Sequence, residues 1–177
     1  MATFMAYVLV FGFAFGVFWF LYKNFKKGME IKKTKENGIA KYSAIYAGFL
    51  KHIDGLPIAS GSIIEFYYGK KNITFKKDNQ VISLECNKIV SLDLVLGKDV
   101  KNNIATGAVA GKYLLGGLGG AALGAILTTT FYFVIIYTKD GENKTILLDS
   151  TGSDLPFKKI LDNFKIINQS EIKNIEL

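Results

Sequence analysis

The chain has 177 residues, half of them hydrophobic, with 22 lysines, no arginine and a formal net charge of +7. One ordinary domain plus an extra segment fits that length, and the apolar content is high enough that part of the chain is expected to face lipid. Without arginine there is no bidentate recognition of phosphate or guanine, and eight lysines against two glutamates put +6 within residues 1–51, so nucleic acid is not an expected partner.

Residues 1–22 carry no charge and end in Phe18-Trp19-Phe20-Leu21-Tyr22. As a helix they would cover roughly 33 Å, enough for a hydrocarbon core of about 30 Å. The start lacks a basic region and the apolar run ends in an aromatic belt and lysine, so an uncleaved transmembrane anchor is predicted in place of a signal peptide. Lys23, Lys26, Lys27, Lys32, Lys33 and Lys35 follow. By the positive-inside tendency they place the N-terminus outside the cell membrane and the main domain in the cytoplasm. The same six lysines read either as a clamp on anionic lipid headgroups or as a topology signal followed by a solvated linker. Within the linker, residues 23–51, Glu30–Gly38 is expected to be a mobile tether. Ala40–Leu50 sets Tyr42, Ile45, Tyr46 and Phe49 at helical spacing, which predicts a short amphipathic helix.

A folded domain is predicted over residues 52–168, entered through the turn His52-Ile53-Asp54-Gly55-Leu56-Pro57. Strand patterns cover Ser62–Tyr68, Asn72–Lys77, Gln80–Cys86, Lys88–Leu96, Thr130–Thr138 and Lys144–Ser150, with hairpin-length turns at Gly69-Lys70-Lys71 and Lys77-Asp78-Asn79. Asp140-Gly141 is the strongest hairpin signal. A closing helix has Ser153 or Asp154 as cap, Pro156 in its first turn, and Phe157, Ile160, Leu161 and Phe164 along one face. Residues 169–177 read as a tail or as the end of that helix.

Ile104–Leu127 interrupts the strands and holds seven of the eighteen glycines. Gly116, Gly120 and Gly124 recur every fourth residue, with a second pair at Gly107 and Gly111, so on a helix they form smooth strips for close backbone packing. A helical hairpin or membrane-inserted zipper is one reading; a single spanning helix and a soluble glycine-rich loop are the others. A span placed at Tyr113–Tyr137 would consume the strand pattern that ends it.

Six strands and a covering helix make a mainly β fold with α, a small barrel or strongly bent sheet. The stretches at 52–57, 72–94, 107–125 and 132–150 resemble bacterial PH-like domains, in particular proteins of low-GC Gram-positive bacteria and their prophages that carry a glycine-zipper insertion. The resemblance covers about two-thirds of the chain, counts six strands where a PH barrel has seven, and leaves the anchor outside. It implies a binding or scaffolding module with no ligand-contacting residue to carry over.

Candidate catalytic groups are few. His52 and Cys86 are single, so a metal pair of histidines and an internal disulfide are both absent, and a thiol–imidazole couple is the one conceivable nucleophilic arrangement. Gly107-x-x-x-Gly111-Lys112-Tyr113 lacks the spacing and hydroxyl of a phosphate loop. The expected class is therefore a non-enzymatic protein without catalytic, metal or cofactor residues. Its expected partners are membrane lipid, a second copy of itself and a protein. A membrane-perturbing or pore-forming effector, phage-encoded or defence-related, is the competing class.

Overall fold

The computed structural model describes the backbone of residues 2–100, 127 and 129–173, and the side chains of 15–100, 127 and 129–166. The chain divides into two compact units, Met1–Gly38 and Ile39–Leu177. Most of the first unit is helix α1, Ala2–Tyr42, 41 residues without a break. The expected tether at Glu30–Gly38 is therefore helix. Low apolar content there signals solvent exposure, while lysine and glutamate are good helix formers. Lys32 stands 3.9 Å from Glu36 one turn on, and the Thr34 hydroxyl donates to the Glu30 carbonyl at 2.9 Å. The helix stops where Ser43 takes a left-handed φ of +50°. Among the described residues no helix is long and apolar enough to cross a membrane. The side chains of residues 1–14, most of the expected anchor, lie outside the described residues.

The second unit is a seven-stranded antiparallel sheet: β1 Ala44–Asp54, β2 Ile63–Gly69, β3 Asn72–Lys77, β4 Gln80–Glu85, β5 Ile89–Leu96, β6 Phe131–Lys139 and β7 Glu142–Asp149. The strand order is β4-β3-β2-β1-β7-β6-β5. The seventh strand is β1, and it replaces the amphipathic helix expected over Ala40–Leu50. Tyr46, Gly48, Leu50 and His52 share one face and Ile45, Ala47, Phe49 and Lys51 the other, a period of two. Ala44, Ala47 and Gly48 blur that alternation in the sequence, and the aromatic spacing happens also to match a helix. Gly48 is required by packing, because a Cβ there would meet the Leu155 side chain at 2.6 Å.

The strands at the two ends of this order, β4 and β5, are consecutive in the chain and are joined only by the 3₁₀ turn Cys86–Lys88. Glu85 and Ile89 are thus no more than about 14 Å apart. The sheet must roll until its edges approach. Register shifts in the β1–β2, β1–β7 and β5–β6 pairings supply local bends. The rolled interior is the main core, in which Phe66 of β2 packs on Phe75 of β3 and Phe133 of β6, each at a ring-centroid distance of 5.8 Å. Helix α2, Phe157–Lys173, adds Ile160 and Phe164 to that core, with Phe157 and Leu161 packed beside them. The Leu155 amide donates to the Ser153 hydroxyl at 3.3 Å just ahead of the helix. Gln169–Lys173 continues α2, so the expected tail begins no earlier than residue 174, beyond the described residues.

β6 is buried on both faces. Phe133 and Ile135 face the main core, whereas Tyr132, Val134 and Ile136 join Ile53, Leu147 and Val100 in a second cluster. This double burial accounts for the uncharged end, Phe131–Tyr137, of the run Tyr113–Tyr137; those residues are strand, and a membrane span over that run is overturned. The glycine segment leaves after β5 and returns before β6 at one place. The Gly97 amide donates to the Thr130 carbonyl at 2.8 Å, and the Leu127 amide donates to the Tyr132 hydroxyl at 2.8 Å. Residues 101–126, including Gly107, Gly111, Gly116, Gly120 and Gly124, lie outside the described residues.

A Cβ at Gly97 would lie 2.0 Å from the Leu127 carbonyl oxygen and 2.9 Å from the Tyr132 ring, whereas at Gly28 on α1 it would meet nothing within 4 Å. Gly97→Ala is expected to lower unfolding free energy by about 2–3 kcal/mol. Gly28→Ala is expected to raise helix stability by up to about 1 kcal/mol. Urea unfolding followed by circular dichroism measures both.

Candidate functional site

The six lysines singled out from sequence all fall on α1. At about 100° per residue they point around the whole circumference, and Lys23 to Lys35 spans roughly 18 Å of helix axis. They form no single cationic face. Lys23, Lys26 and Lys27 share one arc beside Tyr22, while Lys32, Lys33 and Lys35 lie roughly 8 to 12 Å beyond Lys27 along the axis.

His52 and Cys86 do not form a couple. His52 is 1% exposed, and both ring nitrogens face main chain: the Leu56 amide donates to Nε2 at 3.2 Å, and Nδ1 is 3.4 Å from the Ala59 carbonyl oxygen. Nε2 therefore acts as acceptor and Nδ1 carries the proton. The ring organises the β1–β2 connection, whose Gly61 amide also donates to the His52 carbonyl at 2.7 Å. Cys86 is 3% exposed, and its thiol donates to the Gly69 carbonyl at 3.7 Å. Among the described residues no three His, Cys, Asp or Glu side chains come together as metal ligands.

Among the described residues, two clefts stand out on the second unit. The first, of about 520 Å³, follows the seam left where the rolled sheet does not close. Ile82–Glu85 of β4 line one side and Tyr137–Asp140 at the end of the β6–β7 hairpin the other, with Phe75 and Ile146 at its base. Its rim mixes charges, and Lys88 is 3.3 Å from Glu85. The second cleft, of about 650 Å³, lies where residues 41–43 meet the β2–β3 turn and the outer face of β3 and β4. Lys41, Lys70 and Lys71 line it. Sequence reasoning treated Lys70 and Lys71 only as turn residues and missed Lys41, because these positions meet only through the pairing of β1 with β2.

The outer face of β2 and β3 carries a polar network beside this cleft. The Tyr67 hydroxyl donates to Glu65, which also accepts from Lys76 at 2.6 Å, and the Tyr42 ring packs on Tyr67 at 4.9 Å. Burial, reinforced by the Glu65 carboxylate, pushes the Tyr67 phenol far above its ordinary range. Burial in the core does the same to Tyr68, whose hydroxyl has no hydrogen-bond partner among the described residues. Tyr132 is also raised by burial, less so because its oxygen accepts the Leu127 amide.

A phenol held above its unfolded pKa of about 10 binds its proton more tightly in the folded state, so stability is full below that pH and falls above it. The slope is about 1.4 kcal/mol per pH unit for each such tyrosine. Alkaline unfolding followed by tyrosinate absorbance is expected to steepen from pH 10 upward, and Tyr67→Phe to remove one tyrosine's share. His52→Leu leaves the Leu56 amide without its imidazole acceptor, while the Ala59 carbonyl keeps the Ser62 amide at 3.3 Å; the expected loss is about 1–3 kcal/mol in urea unfolding.

Comparison of the chain with protein-family models, curated proteins and solved structures returns no match.

Proposed function

We propose that this chain is a non-enzymatic, membrane-anchored binding or scaffolding protein in which a PH-like rolled sheet presents a binding surface and the glycine segment mediates self-association or membrane insertion. The observation that carries this reading is the meeting of both ends of the insertion, at the hydrogen bond between Gly97 and Thr130. A chain that leaves and returns at one place supports the helical hairpin over a single spanning helix.

Seven antiparallel strands, a three-residue corner between the two sheet edges and a C-terminal helix in the rolled interior support the PH-like part. The anchor rests on the uncharged run of residues 1–22 and on Phe15, Phe18, Trp19, Phe20 and Leu21, all more than half exposed on α1. Exposed aromatics of this density need lipid or protein cover. With Lys23, Lys26 and Lys27 as the collar at the cytoplasmic boundary, α1 continues for about 15 residues, roughly 22 Å of helix axis, to Tyr42.

In membranes from expressing cells, the full chain is expected to resist carbonate extraction and to cross-link to itself. Removing residues 1–22 should release it, and Gly120→Leu should weaken cross-linking while expression stays harmless. Extraction of the full chain by carbonate would overturn the anchor. Retention of the truncated chain would assign membrane insertion to the glycine segment, and vesicle dye leakage abolished by Gly120→Leu would replace scaffolding with pore formation.

A further inference from the structure

The cleft between residues 41–43 and the β2–β3 turn has an unusual charge balance. Lys41, Lys70 and Lys71 line it and no acidic residue does. Elsewhere on the sheet, lysines stand beside carboxylates: Lys76 is 2.6 Å from Glu65, Lys88 3.3 Å from Glu85 and Lys77 3.6 Å from Asp78. Lys70 and Lys71 have no ion pair or side-chain hydrogen bond among the described residues. The Lys41 ammonium lies 5.3 Å from the centre of the Tyr42 ring, a contact that leaves its charge unneutralised.

The backbone beneath these lysines is held in place. The Lys71 carbonyl accepts the Cys86 amide at 2.7 Å, and the Gly69 carbonyl accepts the Cys86 thiol. A Cβ at Gly69 would lie 3.1 Å from the Ser43 carbonyl oxygen and 3.2 Å from that of Asn72, so the turn and the α1–β1 corner touch. The left-handed Ser43 makes that corner. Ile45 and Val81, 37% and 47% exposed, give the cleft an apolar floor.

Three ammonium groups around one concavity focus positive potential into it. Lysine binds phosphate as a point charge, without the planar fork that arginine offers, so it selects compact, highly charged groups over extended patterned ones. We propose that this cleft binds a diphosphate-type group, carried by a small molecule or by a lipid headgroup, with Lys41, Lys70 and Lys71 as its cationic contacts. The apolar floor takes part of the remaining carrier. This site is separate from the lysine collar on α1 and does not depend on membrane anchoring.

The test is lysine acylation footprinting by mass spectrometry on the full chain in detergent micelles, with inorganic pyrophosphate as probe and sulfate at matched ionic strength as control. Pyrophosphate is expected to protect Lys41, Lys70 and Lys71 saturably, leaving Lys51 and Lys139 reactive, and protection should weaken with added salt. Lys70→Gln combined with Lys71→Gln should raise the half-saturating concentration for Lys41 by about tenfold or more. Both positions are exposed turn residues, and unchanged thermal unfolding confirms that the variant folds. A second arm replaces pyrophosphate with mixed micelles containing a phosphoinositide. Protection there but not with pyrophosphate assigns the group to a lipid headgroup, and protection with pyrophosphate assigns a free phosphate carrier. Equal protection of all exposed lysines, or none in either arm, would overturn the proposal.

Discussion

Cys86–Lys88 joins two strands that stand at opposite ends of the sheet order, and that short corner constrains everything around it. Seven antiparallel strands laid flat would leave β4 and β5 several strand widths apart. Bridging them with three residues forces the sheet to roll, and rolling creates an interior that Phe66, Phe75 and Phe133 fill from three different strands. Cys86 itself ties the corner to the β2–β3 turn through its amide and thiol. The interior still has an open end, which α2 covers with Ile160 and Phe164.

Both clefts follow from this geometry. The first is the seam where the rolled edges approach but do not pair. The second arises because β1, antiparallel to β2, begins beside the β2–β3 turn, with Ala44 opposite Gly69. That pairing brings the last residues of α1 against a lysine-bearing turn. The second apolar cluster has a different origin. It buries the outer face of β6 against Ile53, Leu147 and Val100, at the place where the glycine segment departs and returns. One face of β6 thus serves the rolled core and the other the second cluster.

The Gly97 contact shows how closely these parts are fitted. Its missing side chain lets the Leu127 carbonyl and the Tyr132 ring approach the end of β5. The Tyr132 hydroxyl then accepts the Leu127 amide, so a buried phenol keeps a hydrogen bond and the returning chain is fastened. His52 plays a comparable part in the β1–β2 connection, where its ring accepts the Leu56 amide and stands beside the Ala59 carbonyl. Its place in the structure is that of a loop organiser.

Local pattern was enough for β2, β3, β4, β5, β6 and β7, because alternation of apolar and polar residues and the Asp140-Gly141 turn act over a few neighbours. The same holds for the face of α2 that carries Phe157, Ile160, Leu161 and Phe164. β1 was not legible: Ala44, Ala47 and Gly48 hide its alternation, and the need for glycine at 48 comes from Leu155, over a hundred residues away. The continuity of α1 through Glu30–Gly38 was hidden by reading low hydrophobicity as lack of structure. The basic cleft was illegible for a stronger reason. Lys41 and Lys70 belong to different elements, and only the antiparallel pairing of β1 with β2 brings them to one surface. Turn chemistry and the identity of six of the seven strands are local, and the sequence by itself determined them. The roll of the sheet, the return point of the insertion and the grouping of unpaired lysines depend on contacts between distant residues, and only the tertiary structure decided them.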